Sequence, residues 1–148
     1  MKNVALHEKH LVEKAKMIPF AGFEMPVSYT GINEEHHQVR NRCGVFDVSH
    51  MGEFSVKGPE AKTLLDRVCS NDISKLVPGK AQYNYMPTPE GTVVDDLIVY
   101  MKAENDYLMV VNAANIEKDF AHVQAANTSI GAELRNLSDT ISLLAVQG

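Results

Sequence analysis

The other predicted elements of the chain are arranged around one run of nine residues, Thr92-Val93-Val94-Asp95-Asp96-Leu97-Ile98-Val99-Tyr100. Apart from two adjacent aspartates, its residues are β-branched or large and apolar, a composition typical of a strand with both faces covered. Because successive side chains of a strand point to opposite faces, Asp96 and Tyr100 share one face and Asp95 lies on the other. The two carboxylates are therefore predicted to point away from each other, each among apolar neighbours.

An aspartate among apolar side chains needs compensation, because an unpaired buried charge costs several kcal/mol or shifts its pKa. A fold tolerates such a residue when the carboxylate caps a turn, meets a cation or serves a ligand. For Asp95 or Asp96 taken alone, an aspartate satisfied by ordinary hydrogen bonds is the more frequent case. The strand pattern by itself leaves these alternatives open.

Length and composition indicate one ordinary globular domain, since 148 residues with 45% hydrophobic residues suffice for a core. A net charge of -5 without any basic run argues against a nucleic-acid partner. No apolar stretch approaches the ~20 residues that span a membrane, and no secretory segment opens the chain. Cys43 and Cys69 form no CxxC motif, which indicates reduced thiols and predicts a cytoplasmic location.

The first fifty residues are predicted to hold two helices joined by a loop. Residues 6–15 form a short charged helix that Pro19 ends, and residues 21–26, which contain Gly22 and Pro26, form the loop. His7 and His10 are expected on the solvated face of the first helix, because their spacing is not that of an HExxH metal site. The second helix begins after Gly31, with acidic residues in its first turn, and ends before Gly44.

The remainder of the chain alternates hairpins with helices. A half-exposed strand is predicted at 53–57, helices at 59–69 and 114–126, and two final strands within 130–137 and 141–146. Between the helices, residues 92–101 are expected to pair antiparallel with both 81–87 and 106–112. The pattern predicts an α+β fold with a largely antiparallel sheet.

Four stretches of the chain resemble the aminomethyltransferase of the glycine cleavage system, the T-protein family. Each stretch alone is weakly specific, but together they span nearly the whole chain in the expected order and spacing. They are Phe20-Ala21-Gly22-Phe23-Glu24-Met25-Pro26, Phe46-Asp47-Val48-Ser49-His50-Met51-Gly52-Glu53, Val94-Asp95-Asp96-Leu97-Ile98-Val99-Tyr100 and Asn112-Ala113-Ala114-Asn115-Ile116-Glu117-Lys118-Asp119.

The resemblance implies an enzyme of bacterial cytoplasm that takes an aminomethyl group from the lipoyl arm of a partner, the H-protein. It releases ammonia, leaves the one-carbon unit on tetrahydrofolate and requires no metal. The chain is then the first part of a multidomain folate-binding fold, with residues 1–52 as an N-terminal segment and 53–148 as an α+β folate-binding domain. Because the family's chains run far beyond the position matching Gly148, an inactive fragment that can self-associate is expected.

The resemblance also assigns residues. Asp96 matches the family's essential acidic residue, whose carboxylate orients the folate amine and stabilises developing positive charge. Asp95 is left with an ordinary structural role. The positions that line the pterin pocket in the family correspond to Met51, Tyr83, Tyr100, Val110 and Asn112.

Three alternatives stay open beside the T-protein function. The first is a related folate-dependent demethylase, or the folate domain of a dimethylglycine or sarcosine dehydrogenase. The second is a non-catalytic folate-binding regulator, a class that generally lacks the aspartate at the position of Asp96. The third is an interaction module that binds no ligand.

Overall fold

The computed structural model describes residues 1–148 and divides the chain into two compact units. The first unit comprises Met1–His50 together with Ile141–Gly148, and the second comprises Met51–Thr140. The predicted α+β class with largely antiparallel pairing is confirmed, whereas the domain division at residues 52 and 53 stays a prediction. None of the helices has the length and apolar character that crossing a membrane requires.

The first unit consists of two small sheets and two helices. The three-stranded sheet has one parallel and one antiparallel pair, and the two-stranded sheet is antiparallel. The second predicted helix is confirmed, although Gly44 begins a strand instead of capping it. The elements are β1 (Lys2–Asn3), α1 (His7–Val12), β2 (Lys16–Phe20), β3 (Phe23–Ser28), α2 (Ile32–Asn41), β4 (Gly44–Asp47) and, at the end of the chain, β10 (Leu144–Gln147).

The predicted loop at 21–26 is wrong, because β2 and β3 form an antiparallel hairpin. Helix α1 ends at Val12, and Pro19 lies inside β2 instead of ending the helix. Ala21 and Gly22 have φ values of 49° and 86°, the positive range that a two-residue type I′ hairpin turn requires. Pro19 is tolerated because β2 is an edge strand, where one side of the backbone needs no partner.

The predicted solvated face of α1 is also wrong, since His7 and His10 are buried. His7 Nε2 lies 2.6 Å from Glu24 Oε2, and His10 Nε2 lies 2.8 Å from Asp47 Oδ2. The Tyr29 hydroxyl lies 2.8 Å from the other ring nitrogen of His10. These partners satisfy the polar atoms that burial would otherwise leave unpaired. No group of three or more His, Cys, Asp or Glu that could hold a metal ion is present.

The second unit is a five-stranded antiparallel sheet with two helices. Its strand order is β6-β7-β8-β5-β9, so β7 pairs with both β6 and β8, which confirms the predicted meander. Both predicted helices are present. The elements are β5 (Gly52–Lys57), α3 (Ala61–Val68), β6 (Ala81–Pro87), β7 (Val93–Ala103), β8 (Asp106–Val111), α4 (Ile116–Asn127) and β9 (Glu133–Asn136), with 3-10 turns at Ile73–Lys75 and Ala113–Asn115.

One face of this sheet forms the core with α3 and α4. Leu97 and Val99 of β7 are buried there with the whole apolar stripe of α3. The rings of Phe54 on β5 and Phe120 on α4 meet edge to face, with centroids 5.1 Å apart. The alternation of apolar side chains along each strand therefore places the core on the side of the helices.

The opposite face of the sheet does not fit the prediction that both faces of β7 are covered. Asp96, Ile98 and Tyr100 are exposed, although two of them are large apolar residues. Strand β5 is more buried than predicted. Its sequence predicts one exposed face, but Glu53 and Ser55 on that face are both buried. Strand β5 has neighbours on both sides, β8 and β9, which the local alternation of its sequence does not reveal.

Gly52 begins β5 at a position without room for a side chain. A Cβ atom there would lie 2.5 Å from Cγ1 of Ile116 and 2.8 Å from Cγ2 of Val111. Gly52→Ala is therefore expected to destabilise the chain by roughly 1–3 kcal/mol, the usual range for overpacking. Urea unfolding followed by circular dichroism measures this loss. An unchanged midpoint would mean that Ile116 moves aside freely at the start of α4.

Candidate functional site

The exposed face of the sheet in the second unit carries its side chains in rows. Directly opposed residues of antiparallel strands point to the same side, and the strand register therefore defines each row. The first row holds Tyr85 and Asp96, followed by Asn112 just after β8. The second row holds Tyr83, Ile98, Val110 and Glu53, and the third holds Ala81, Tyr100, Leu108 and Ser55.

Both carboxylate oxygens of Asp96 accept a hydrogen bond. The Tyr83 hydroxyl donates to Oδ2 at 2.7 Å, and the Asn112 side-chain amide donates to Oδ1 at 2.9 Å. The hydrogen bond to Asp96 raises the pKa of Tyr83 above its ordinary value, as do partial burial and the charges of Asp96 and Asp95. Tyr83 therefore stays a donor at neutral pH. The two bonds fix the carboxylate while each oxygen keeps further acceptor capacity.

Asp95 points to the other side of the sheet, as the alternation predicts. Its Oδ1 accepts from Asn112 at 3.1 Å, and its Oδ2 accepts from Asn115 at 2.9 Å. Burial acts to raise the pKa of Asp95, but hydrogen bonds from Asp119, Asn115 and Asn112 outweigh burial and bring it below the ordinary value. Asn112 thus touches both aspartates at once, because it lies where β8 ends.

The other residues that the resemblance assigns to a binding pocket lie on or next to this face. Tyr83 is 61% exposed and Tyr100 is 38% exposed, whereas Val110, in the row of Tyr83, is buried. Met51 directly precedes Gly52, which pairs with Val111, so Met51 lies at the end of the sheet where Asn112 also lies. The fold therefore brings all the predicted site residues to one side or one end of a single sheet.

Two residues that the sequence did not single out carry unusual chemistry. Glu53, in the row of Tyr83 and Val110, is fully buried, neither of its oxygens accepts a hydrogen bond, and burial raises its pKa to about 7. Asp119 on α4 is equally buried and equally without a donor. The alternation of β5 predicts a solvated Glu53, so the sequence does not indicate that this side chain is buried. A signal for Asp119 was present, because Asn115 and Asp119 are four residues apart on one helix face.

Together these features form a flat, partly apolar surface with a fixed carboxylate at its edge. Tyr83, Ile98 and Tyr100 offer aromatic and aliphatic area to a planar ring. Asp96 offers an oriented negative charge that can accept a hydrogen bond from an amine or stabilise a nearby cation. The arrangement suits a flat nitrogen heterocycle better than a phosphate or a polyanion.

Comparisons with known proteins show the family of the chain. The model of the GCVT N-terminal domain matches residues 6–148. The chain is 57% identical to the aminomethyltransferase of Flavobacterium psychrophilum and 51% identical to that of Thermotoga maritima, in each case over all 148 residues and 41% of the relative. The chain therefore spans about two fifths of the length of these curated relatives.

A solved structure shows the same fold. The crystal structure of glycine cleavage system aminomethyltransferase T from Bartonella henselae superposes with a TM-score of 0.88 at 34% sequence identity. The match covers 99% of this chain and 40% of that one. The sequence matches and the structural match each cover almost the whole chain, and the chain belongs to the GCVT N-terminal domain family.

Proposed function

We propose that this chain supplies the catalytic carboxylate and part of the folate-binding surface of a glycine cleavage aminomethyltransferase. The observation that carries the proposal is Asp96, held by Tyr83 and Asn112 at the edge of an exposed aromatic and aliphatic sheet face. Membership of the GCVT family and the names of the relatives support the same function.

The proposed reaction takes an aminomethyl group from the lipoyl arm of an H-protein partner in the bacterial cytoplasm. Ammonia leaves, and the one-carbon unit passes to tetrahydrofolate as the methylene form. In this reaction tetrahydrofolate is the acceptor substrate and no metal takes part. The protein's task is to position an amine and to stabilise positive charge that develops on the transferred carbon.

Asp96 performs that task through its fixed orientation. Tyr83 and Asn112 each occupy one acceptor direction of the carboxylate, so its remaining lone pairs point in defined directions. One of them accepts a hydrogen bond from the folate amine, and the negative charge faces the iminium-like carbon. Since the two donors are already in place, little reorganisation is needed as charge develops.

The remaining assigned residues bind the ring. Tyr100 and Tyr83 contact the flat pterin with their aromatic faces, Val110 and Met51 supply apolar contact, and Asn112 fixes one polar edge. Ile98 lies between Tyr83 and Val110 in the same row and joins the surface. Asp95 keeps a structural role on the side of the helices.

A transfer assay tests the proposed function and separates its alternatives. A full-length aminomethyltransferase that contains this chain is supplied with tetrahydrofolate and either aminomethyl-lipoyl H-protein or simple methylated amines. Release of ammonia with methylene-tetrahydrofolate only from the H-protein substrate is expected. Turnover of dimethylglycine or sarcosine would indicate the related demethylating enzymes, and folate binding without any turnover would indicate a regulator.

The isolated chain is proposed to be folded but inactive. The exposed apolar residues of the site face, Tyr83, Tyr85, Ile98 and Tyr100, favour self-association, because exposed apolar patches tend to become covered. We expect sedimentation to detect oligomers and calorimetry to detect weaker tetrahydrofolate binding than in a full-length enzyme. A strictly monomeric chain that binds folate as tightly as the full-length enzyme would contradict this prediction.

A further inference from the structure

Asp119 is a buried carboxyl group that no donor satisfies. Its side chain is fully buried on α4, and neither oxygen accepts a hydrogen bond. The nearest cation, Lys118 Nζ, lies 4.0 Å from Oδ1 and is itself bonded to the backbone oxygen of Val94 at 2.7 Å. An ionised carboxylate is strongly unfavourable in such surroundings. The geometry favours a neutral Asp119 that carries a proton.

Helix α4 places Asp119 on the side of Asp95, because Asn115, one turn earlier on the same helix face, donates to Asp95 Oδ2 at 2.9 Å. Asp95 is therefore the acceptor that the geometry offers for that proton. Burial raises the pKa of Asp119 to about 7, with the hydrogen bond to Asp95 and the charges of Asp95 and Asp96 acting in the same direction and Lys118 opposing them. The same contact lowers the pKa of Asp95. Two carboxyl groups that share one proton titrate as a pair. Below about pH 7, Asp119 is therefore the donor and Asp95 the acceptor.

Asp95 in turn is connected to Asp96 through Asn112. The single side-chain nitrogen of Asn112 lies 3.1 Å from Asp95 Oδ1, 2.9 Å from Asp96 Oδ1 and 3.3 Å from the Asp96 backbone oxygen. Asn115 holds the other oxygen of Asp95. Asp95 therefore supplies one of the three oxygens that hold the Asn112 amide nitrogen beside Asp96.

We propose that Asp119 is a positioning residue: as a carboxylic acid it donates a hydrogen bond to Asp95 and thereby holds Asn112 against the Asp96 carboxylate. The proposal rests on the proposed function only for its effect on turnover. The placement of Asn112 can be tested in this chain without any substrate. Ionisation of Asp119 would set two negative charges against each other, and Asp95 would turn away from its amide partners.

Nuclear magnetic resonance on the chain itself tests the placement. With labelled aspartate carboxyl carbons and asparagine side-chain nitrogens, the Asp119 carboxyl is expected to titrate near pH 7. Asp119→Asn should leave the Asn112 amide resonance in place, because an amide NH2 donates as the acid does, whereas Asp119→Ala should shift it. An Asp119 carboxyl that titrates below about pH 5, close to an unperturbed aspartate, would overturn the proposal. An Asn112 side-chain amide resonance that does not shift in Asp119→Ala would also overturn the proposal.

Turnover in a full-length enzyme that contains this chain provides the second readout. Asp119→Ala is expected to lower kcat by about tenfold to a hundredfold, the scale of a small misplacement at a reacting centre. Asp119→Asn should restore most of that loss and remove the decline in activity on raising the pH through about 7. Gln124→Ala, on the exposed side of α4, is the matched control and should have no effect.

The outcomes separate the two proposals. If Asp119→Asn lost as much activity as Asp119→Ala in folded protein, the residue would act through its charge and the positioning role would be wrong. If the unaltered full-length enzyme transferred no aminomethyl group, the proposed function would fail. The resonance of Asn112 would still decide the role of Asp119.

Discussion

Asp96→Asn is expected to lower the turnover of a full-length enzyme containing this chain by roughly 10²–10⁴-fold, the range of a positioned acid–base group. The amide has the size of the carboxylate but lacks the negative charge that the developing cation requires. The site tolerates the amide, because the Tyr83 hydroxyl that donates to Oδ2 can also accept a hydrogen bond from an NH2 group. Steady-state transfer assays, with circular dichroism to verify the fold, measure the effect.

Asp95→Asn is the matched control for this experiment. Both oxygens of Asp95 face amide donors of Asn112 and Asn115, so an NH2 group there meets another donor and costs about 1–3 kcal/mol of stability. Its activity should fall because less protein is folded and because Asn112 loses one acceptor beside Asp96, but by less than the activity of Asp96→Asn. If both substitutions lowered turnover equally and neither lowered stability, the assignment of a catalytic role to Asp96 and a structural role to Asp95 would be wrong.

Glu53→Gln is expected to stabilise the chain at pH 8 by about 3 kcal/mol. The folded-state pKa of Glu53 is raised from 4.5 to about 7, and each pKa unit corresponds to about 1.4 kcal/mol. A raised carboxyl pKa means that the folded state binds more protons than the unfolded state between pH 4.5 and about 7. Stability is therefore lost as the pH rises through this interval, and a neutral amide avoids the loss.

Urea unfolding at pH 4 and pH 8 measures the difference between the original chain and Glu53→Gln. The stabilisation should be large at pH 8 and small at pH 4, where the carboxyl is protonated in both states. Glu90→Gln in an exposed turn is the control and should change stability little at either pH. A gain that is the same at both pH values would mean that folding does not raise the pKa of Glu53.

The parts of the fold that the sequence predicts are those set by neighbours along the chain. Strand β7, its two partners and the stripe of α3 follow from local periodicity, and all are present. The burial of His7 and His10 could not be predicted, because their partners Glu24 and Asp47 are 17 and 37 residues away. Pairing across such distances depends on the tertiary fold.

In the candidate site, too, local sequence predicts some features, and others depend on the tertiary fold. Alternation along β7 separates Asp95 from Asp96, but only the resemblance to a family assigns a role to Asp96. The burial of Glu53 could not be predicted, because alternation along β5 describes only the strand itself and carries no information about the distant residues that cover this side chain. The Asn112 contacts arise where β8 ends beside β7, a position that depends on strand register and not on spacing in the sequence.

Calorimetric titration of tetrahydrofolate into a full-length enzyme containing this chain measures whether folate binds to the exposed sheet face that carries Asp96 and Tyr100. Tyr100→Ala removes an exposed ring from the proposed binding face, and Gln124→Ala changes the exposed side of α4, beyond the opposite face of the sheet. We expect Tyr100→Ala to raise Kd about tenfold, a loss of about 1.4 kcal/mol, and Gln124→Ala to leave it unchanged. Equal Kd values for the unaltered enzyme and Tyr100→Ala would contradict the assignment of this face to folate.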